Sequence, residues 1–380
     1  MMKILHVVPC LFKNGGGTSE VIPRLCRALR ECGHDVTLAA LRADEVSDMT
    51  KDAIKAGVRY QGESDRVRWL PKALDYSSSF QSLLQRLVAE SDVVHVHCLW
   101  QMVSWGAAKE ALRQGKPYVV MPHGFLEPER LKISKWKKRI MGAFIDRPML
   151  NQANAIIATS ESEKDGIRRY GVKRPIHIMP IGLDLEKYRQ SKCDGKTLLY
   201  FSRITPIKGL DMLAEVWGRM DRKGWKLLIV GPDDRGYTDK MKRLFALKCP
   251  PGSYEFRGPV FGDGKYTLLS SVDAFILPTR SENWSIAVAE AMASGLPVVC
   301  TKGAPWECIN TVHAGWWVDV SCEGIQAGLE RLFELSAAER KKYGLNGVEW
   351  VSRNLEWHRI ARRMHDLYVT LITGKGNNAI

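Results

Sequence analysis

Apolar runs rich in valine, isoleucine and leucine alternate along this chain with longer stretches in which apolar residues recur at helical spacing. The pattern predicts strands at Ile4–Val8, Asp35–Ala39, Val93–His97, Tyr118–Met121, Ala155–Ala158 and Ile176–Met179. It restarts after the polar segment PIGLDLEKYRQSKCDGK, predicting strands at Thr197–Phe201, Trp225–Val230, Tyr254–Arg257, Ala274–Leu277, Val298–Thr301 and Gly315–Val318. Strands that are apolar almost throughout, separated by helices, belong to parallel sheets covered on both faces. Two such series predict an α/β protein with two doubly wound, Rossmann-like domains, 1–182 and 183–355, joined near 181–195. The closing stretch EWHRIARRMHDLYVTLITGKGNNAI carries Ile360, Met364, Leu367 and Leu371 at helical spacing. It predicts a helix over 356–380 that frays at its end and packs back on the first domain.

Length and composition agree with this division. A chain of 380 residues exceeds one ordinary core, and 45% hydrophobic with 26% charged residues is globular composition. No apolar run approaches the roughly 20 residues needed to span a bilayer. The start, MMKILHVVPCLF, is followed by KNGGGTSE rather than a small-residue cleavage site, so it reads as a buried first strand. Nine scattered cysteines include no C-x-x-C pair, which argues against a disulfide framework or zinc site and for a reducing, cytoplasmic setting. The net charge of +14 favours anionic partners: polyanions, anionic membranes or phosphorylated substrates.

In parallel α/β sheets ligands bind at the carboxyl ends of strands, so the residues just after each strand are the candidates. The first strand runs into Gly15-Gly16-Gly17 before a helix, which is either an anion site at a helix N-terminus or a strand–helix loop. It is neither G-x-G-x-x-G nor a P-loop. DVVHVHCLW puts His95 and His97 on one strand face; His97, with Trp100, is an acceptor-side candidate, whereas His95 packs. Two ligands on one strand do not make a metal site, and none is expected. His123, in MPHGFLEP, could act on a hydroxyl or orient a sugar, or could bond only to backbone. Arg203 and Lys208, in SRITPIKG, form a candidate diphosphate clamp or a pair of solvated cations. Gly231 and Gly258 would let backbone approach a flat ligand such as a nucleobase.

SENWSIAVAEAMASGLPVV places Glu282 before a helix of small and apolar residues and Glu290 within it. Asn283 or Ser285 can cap that helix, and Ser294-Gly295 with Pro297 ends it. Glu290 is either a ligand-binding carboxylate or a structural buried acid, which would need a partner to offset desolvation.

Taken in order, NGGGTSE, PHGFLEP, PIGLD, SRITPIKG, SENWSIAVAEAMASGLPVV and KGAPWECI resemble glycosyltransferase family 4, the group 1 glycosyl transferases. These are retaining enzymes of the GT-B fold, with an interdomain cleft. The E-x7-E element followed by A-x-A-x-G-x-P-V is the most specific of these motifs. The resemblance implies an acceptor-binding first domain and a second domain that binds a UDP-, GDP- or ADP-sugar. It implies that Arg203 and Lys208 neutralise the diphosphate, Glu282 faces the donor sugar and Glu290 holds the ribose. Asn283, Trp284, Ser285 and Ile286 would contact sugar and phosphate, and Gly231, Gly258 and Val260 would flank the base. Gly16 and Gly17 would approach the diphosphate, and His123 the donor sugar. The chemistry implied is metal-independent transfer to a glycan or glycolipid hydroxyl in cell-surface polysaccharide or lipopolysaccharide assembly. The chain departs from the family at Trp284-Ser285, where Phe-Gly is usual.

A sugar-nucleotide epimerase or glycosyl phosphorylase on the same fold is the alternative; a nucleic-acid-binding role rests on charge alone, and no nucleic-acid module is present. Finally, LKISKWKKRIMGAF sets Ile133, Trp136, Ile140 and Phe144 among Lys132, Lys135, Lys137, Lys138 and Arg139. Segment 131–145 is therefore either an interfacial helix on the anionic inner face of a membrane or a helix packed on the first domain.

Overall fold

The computed structural model describes residues 1–11, 17–42, 46–62, 76–127, 130–131 and 135–374. Gly15, Gly16, Lys132 and Ile133 lie outside them. The chain forms two compact units, Met1–Gly182 with Trp357–Ile380, and Leu183–Glu356.

The first unit holds a seven-stranded parallel sheet: β1 (Lys3–Cys10), β2 (Asp35–Arg42), β3 (Arg59–Gly62), β4 (Val93–His97), β5 (Tyr118–Met121), β6 (Ala155–Ala158) and β7 (Ile176–Ile178). Their order across the sheet is β3-β2-β1-β4-β5-β6-β7. Six of these strands coincide with the predicted runs. β3 was not predicted, because RYQG is short, polar and largely exposed at the sheet edge, where no apolar pattern is required. The second unit holds β8 (Thr197–Phe201), β9 (Lys226–Val230), β10 (Tyr254–Arg257), β11 (Ala274–Leu277), β12 (Val298–Thr301) and β13 (Gly315–Val318), ordered β10-β9-β8-β11-β12-β13.

All strand pairs are parallel, and the central strands bury both faces. That is why they read as unbroken apolar runs. In each sheet the order reverses once, between β1 and β4 and between β8 and β11. The carboxyl ends of these pairs are the topological switch points, where an open α/β sheet leaves room for a ligand.

The helix Trp357–Thr373 packs on the helix Gly17–Glu31 through Ile360, Met364, Leu367 and Tyr368, all buried. Trp357 lies over Gly182, where any Cβ would sit 2.4 Å from its ring. All nine cysteines are free. No described helix is long and apolar enough to cross a membrane.

Candidate active site

In the second unit the switch point is built from two loops. β8 runs through Arg203 into a short turn, Pro206–Lys208, and Gly209 then opens the helix Leu210–Arg219. Gly209 has φ +69°, and a Cβ there would lie 1.9 Å from the Pro278 carbonyl. Glycine thus lets this loop close on the loop after β11. The two are stitched together by Arg280 N–H to the Ile207 carbonyl (2.8 Å) and by the Arg280 guanidinium, which donates to the Pro206 carbonyl (2.7 Å). The same guanidinium forks onto both carboxylate oxygens of Asp211 at 2.8 Å.

This arrangement brings Lys208 to Glu282, and their side chains form an ion pair, Nζ to Oε2. Lys208 is buried and Glu282 partly so, whereas Arg203 is exposed. Behind Glu282 starts the helix Ile286–Ala293. Ser285 is its N-cap residue but makes no side-chain capping bond, contrary to the capping expectation. Its backbone is left-handed, φ +70° and ψ 88°, a conformation glycine enters without steric cost. Trp284 turns inward, its ring 4.8 Å from Trp306, whose indole N–H donates to the Trp284 carbonyl. At the other end Ser294 is the C-cap, and Gly295 (φ +71°) leads on to Pro297.

Glu290 lies in the second turn of that helix and is only 4% exposed. Its Oε1 accepts from Lys265 Nζ at 2.6 Å and from the Tyr188 hydroxyl at 3.0 Å. Lys265 is itself 9% exposed. The buried acid therefore has the partner its burial demands. Sequence reasoning missed Lys265, which stands 25 residues away without a motif. Gly231 (φ +157°) is required by packing, since a Cβ would be 1.8 Å from the Ser202 carbonyl. Gly258 is exposed with open space around it, and Val260 is half-buried nearby.

In the first unit Gly17 is the exposed first residue of the helix Gly17–Glu31. His123 follows β5 in a turn where both it and Gly124 have positive φ, +55° and +73°. Glu163 anchors this turn: one oxygen accepts from Gly124 N–H at 2.5 Å, the other from the Thr159 N–H and hydroxyl at 2.7 Å. Burial, helped by Arg130, pulls the His123 imidazole down to about 4, so it is neutral near pH 7. His97 corrects an expectation. It is fully buried and bonds through both ring nitrogens to other histidines, so it does not itself meet a ligand. Trp100 is likewise buried, its indole N–H donating to the Phe125 carbonyl at 3.4 Å and its ring edge-on to Tyr170.

His6, His95 and His97 offer ring nitrogens that all lie within 4.8 Å of one another. This third histidine, invisible in the spacing of β4, comes from β1, where His6 is in register with His95.

Three described members of the apolar stripe of segment 131–145 do not pack inward, although Leu131 and Met141 beside them do. Trp136, Ile140 and Phe144, on the helix Lys135–Met141 and the π-helical turn Gly142–Asp146, are 73%, 59% and 79% exposed.

Two doubly wound parallel sheets, of seven and six strands, make up the GT-B fold of glycosyltransferases. Sequence comparison agrees. The model for Glycosyltransferase Family 4 matches residues 15–187, and that for Glycosyl transferases group 1 matches residues 195–334. The chain belongs to this glycosyltransferase family. It is 24% identical over 396 aligned positions to the GDP-mannose:cellobiosyl-diphosphopolyprenol alpha-mannosyltransferase of Xanthomonas campestris, covering 97% of this chain and 96% of that one. It is 25% identical over 361 positions to a GDP-mannose-dependent alpha-mannosyltransferase of Mycolicibacterium smegmatis, covering 90% and 91%. Its fold matches that of Anabaena Alr3699/HepE, solved with UDP and glucose, at TM-score 0.76 and 15% identity over 98% of this chain and 100% of that one.

Proposed function

We propose that this glycosyltransferase moves a hexosyl group from GDP-mannose, or a closely related nucleotide-diphosphate sugar, to a hydroxyl of a lipid-linked glycan. The transfer retains the anomeric configuration, needs no metal and serves cell-surface polysaccharide or lipopolysaccharide assembly. The observation that carries this reading is the Lys208–Glu282 pair beside the N-terminus of the helix Ile286–Ala293, at the β8/β11 switch point.

As the bond from the anomeric carbon to the phosphate oxygen breaks, negative charge grows on the departing diphosphate. Lys208, the exposed Arg203 and the helix N–H groups offset that charge, the work a metal performs elsewhere. The acceptor oxygen bonds to the same carbon from the same face, and its proton passes to the departing phosphate. No protein base is assigned. Glu282 binds the donor sugar and Glu290 the ribose, with Gly231, Gly258 and Val260 at the base. His123 toward the sugar, and Gly16 and Gly17 toward the diphosphate, follow the family resemblance.

GDP-mannose is named first because both full-length relatives described above carry it in their names. The lipid-linked acceptor is favoured by the first of those names and by the exposed Trp136–Ile140–Phe144 stripe. That stripe would rest on the anionic inner face of a membrane, with the basic residues around it on the lipid headgroups.

The test is a melting series with GDP-mannose, UDP-glucose and ADP-glucose, followed by a transfer assay on a polyprenyl-diphosphate glycan. The expected results are a melting shift largest with GDP-mannose, nucleotide release that needs acceptor, an α-linked product, and a rate unaltered by EDTA. Nucleotide release without acceptor, or no melting shift with any of the three, would defeat the reading.

A further inference from the structure

The register of β1 against β4 sets His6 beside His95, and His97 follows two residues later on the same face. All three rings are fully buried. They form a connected chain. His6 Nδ1 lies 2.9 Å from His97 Nε2, and His97 Nδ1 lies 2.9 Å from His123 Nε2. His95 stacks on His97 with centroids 4.1 Å apart, and its Nδ1 is 2.6 Å from the buried Tyr368 hydroxyl. Burial lowers His6 to about 3 and His123 to about 4, and holds His95 and His97 well below the ordinary range. Four neutral imidazoles each carry one N–H and one lone pair, so every contact needs one of each.

We propose that this chain is a positioning device that fixes His123 in the tautomer with its proton on Nδ1, so that it presents a hydrogen-bond donor, not a base, to a ligand oxygen. The polarity follows from the two ends. Tyr368 is fully buried, and the His95 nitrogen is its one hydrogen-bond partner among the described residues. Its hydroxyl therefore donates, and the His95 proton sits on Nε2. Among the described residues neither His6 Nε2 nor His95 Nε2 has a hydrogen-bond partner. If His123 donated through Nε2, the chain would run inward and leave a second buried, unpaired N–H, at His6, in addition to that of His95. Buried N–H groups without acceptors are rare, so the polarity that leaves fewer of them is favoured. The outward polarity removes the one at His6 and leaves only that at His95. His6 Nδ1–H donates to His97 Nε2, His97 Nδ1–H donates to His123 Nε2, and His6 Nε2 carries a lone pair, which costs less to bury unpaired than an N–H. The remaining proton lies on His123 Nδ1.

That His123 meets the donor sugar rests on the proposed function; its tautomer does not. Two measurements separate them. Long-range proton–nitrogen NMR on the full chain, 15N-labelled at histidine and assigned with single His variants, reads the tautomer directly. The expected result is a protonated Nδ1 and an unprotonated Nε2 for both His97 and His123 near pH 7. A protonated Nε2 on His123 would overturn the proposal. So would the loss of the unprotonated-nitrogen signals of His6, His95 and His97 on adding one equivalent of Zn²⁺, since the cluster would then be a metal site. Kinetics with the best nucleotide-sugar follow. His97→Leu removes the donor to His123 and should lower kcat on the order of 10-fold, the scale of one lost hydrogen bond. His97→Asn places an amide N–H where Nδ1–H stood and should recover most of that loss. Equal defects in the two variants, with melting curves like wild type, would overturn the positioning role. If the tautomer is as expected but no nucleotide-sugar is turned over, the functional reading fails and the chain stands.

Discussion

The buried pair of Lys265 and Glu290 gives a quantitative test of how the second unit holds its carboxylate. The two side chains meet at 2.6 Å, are 9% and 4% exposed, and share Glu290 Oε1 with the Tyr188 hydroxyl at 3.0 Å. Lys265→Met preserves length and deletes the charge, leaving a carboxylate out of water with one neutral donor to that oxygen. Breaking a buried pair in this way costs about 3–5 kcal/mol. For a unit of this size each kcal/mol moves Tm by about 2–4 °C, so the midpoint of the second unit should fall by roughly 6–20 °C. Glu290→Leu alone strands the ammonium and should cost a similar amount. The double variant Lys265→Met/Glu290→Leu removes both desolvation penalties and should recover most of the loss, so the coupling across the cycle should exceed either single loss. Calorimetry or urea unfolding of the four proteins reads this directly. Strictly additive losses would refute the reasoning, because each side chain would then be solvated independently. The double variant also isolates the ligand role: if Glu290 holds the ribose, it should melt near wild type yet bind GDP-mannose at least 10-fold more weakly.

The first unit should be acid-sensitive above the usual carboxylate range. His6 at about 3, His123 at about 4, and His95 and His97 below the ordinary value all bind protons more readily when unfolded. Their contribution is complete above about pH 6.5 and is lost as pH falls towards 4, by up to ~1.4 kcal/mol per pH unit for each group. Glu127 and Asp146, raised by burial to about 7 and about 6, act in the opposite sense but number only two. Urea midpoints should therefore drop between pH 7 and pH 5, and a flat profile would contradict the buried neutral cluster. Gly231→Ala, with its Cβ against the Ser202 carbonyl, should destabilise by ~2 kcal/mol or more, whereas Gly258→Ala should leave Tm within a degree or so. Trp136→Ser with Ile140→Ser and Phe144→Ser should abolish co-sedimentation with anionic vesicles without lowering Tm, since these rings are exposed; unchanged binding would remove the membrane reading.

Local pattern carried a good deal of this protein. Short runs that are apolar throughout suit buried parallel strands, so twelve of the thirteen strands among the described residues were legible, and β3 escaped because an exposed edge strand needs no apolar face. Loops at strand ends marked Lys208, Glu282 and His123 as candidates before any distance was known. Tertiary structure decided what each residue does next to its neighbours. Glu290 reads equally as ligand contact or structural acid from the sequence; its partners Lys265 and Tyr188 come from 25 and 102 residues away. Arg280 holds the Lys208 loop through Asp211, and no motif announces it. His97 read as an acceptor-side candidate at a strand end; the sheet buries it between histidines from β1 and from the turn after β5. Hydrophobic period is a property of neighbouring residues, so the sequence displays it. Ion pairing, tautomer and burial depend on which distant segments the fold brings within about 3 Å, and only the packed chain determines that.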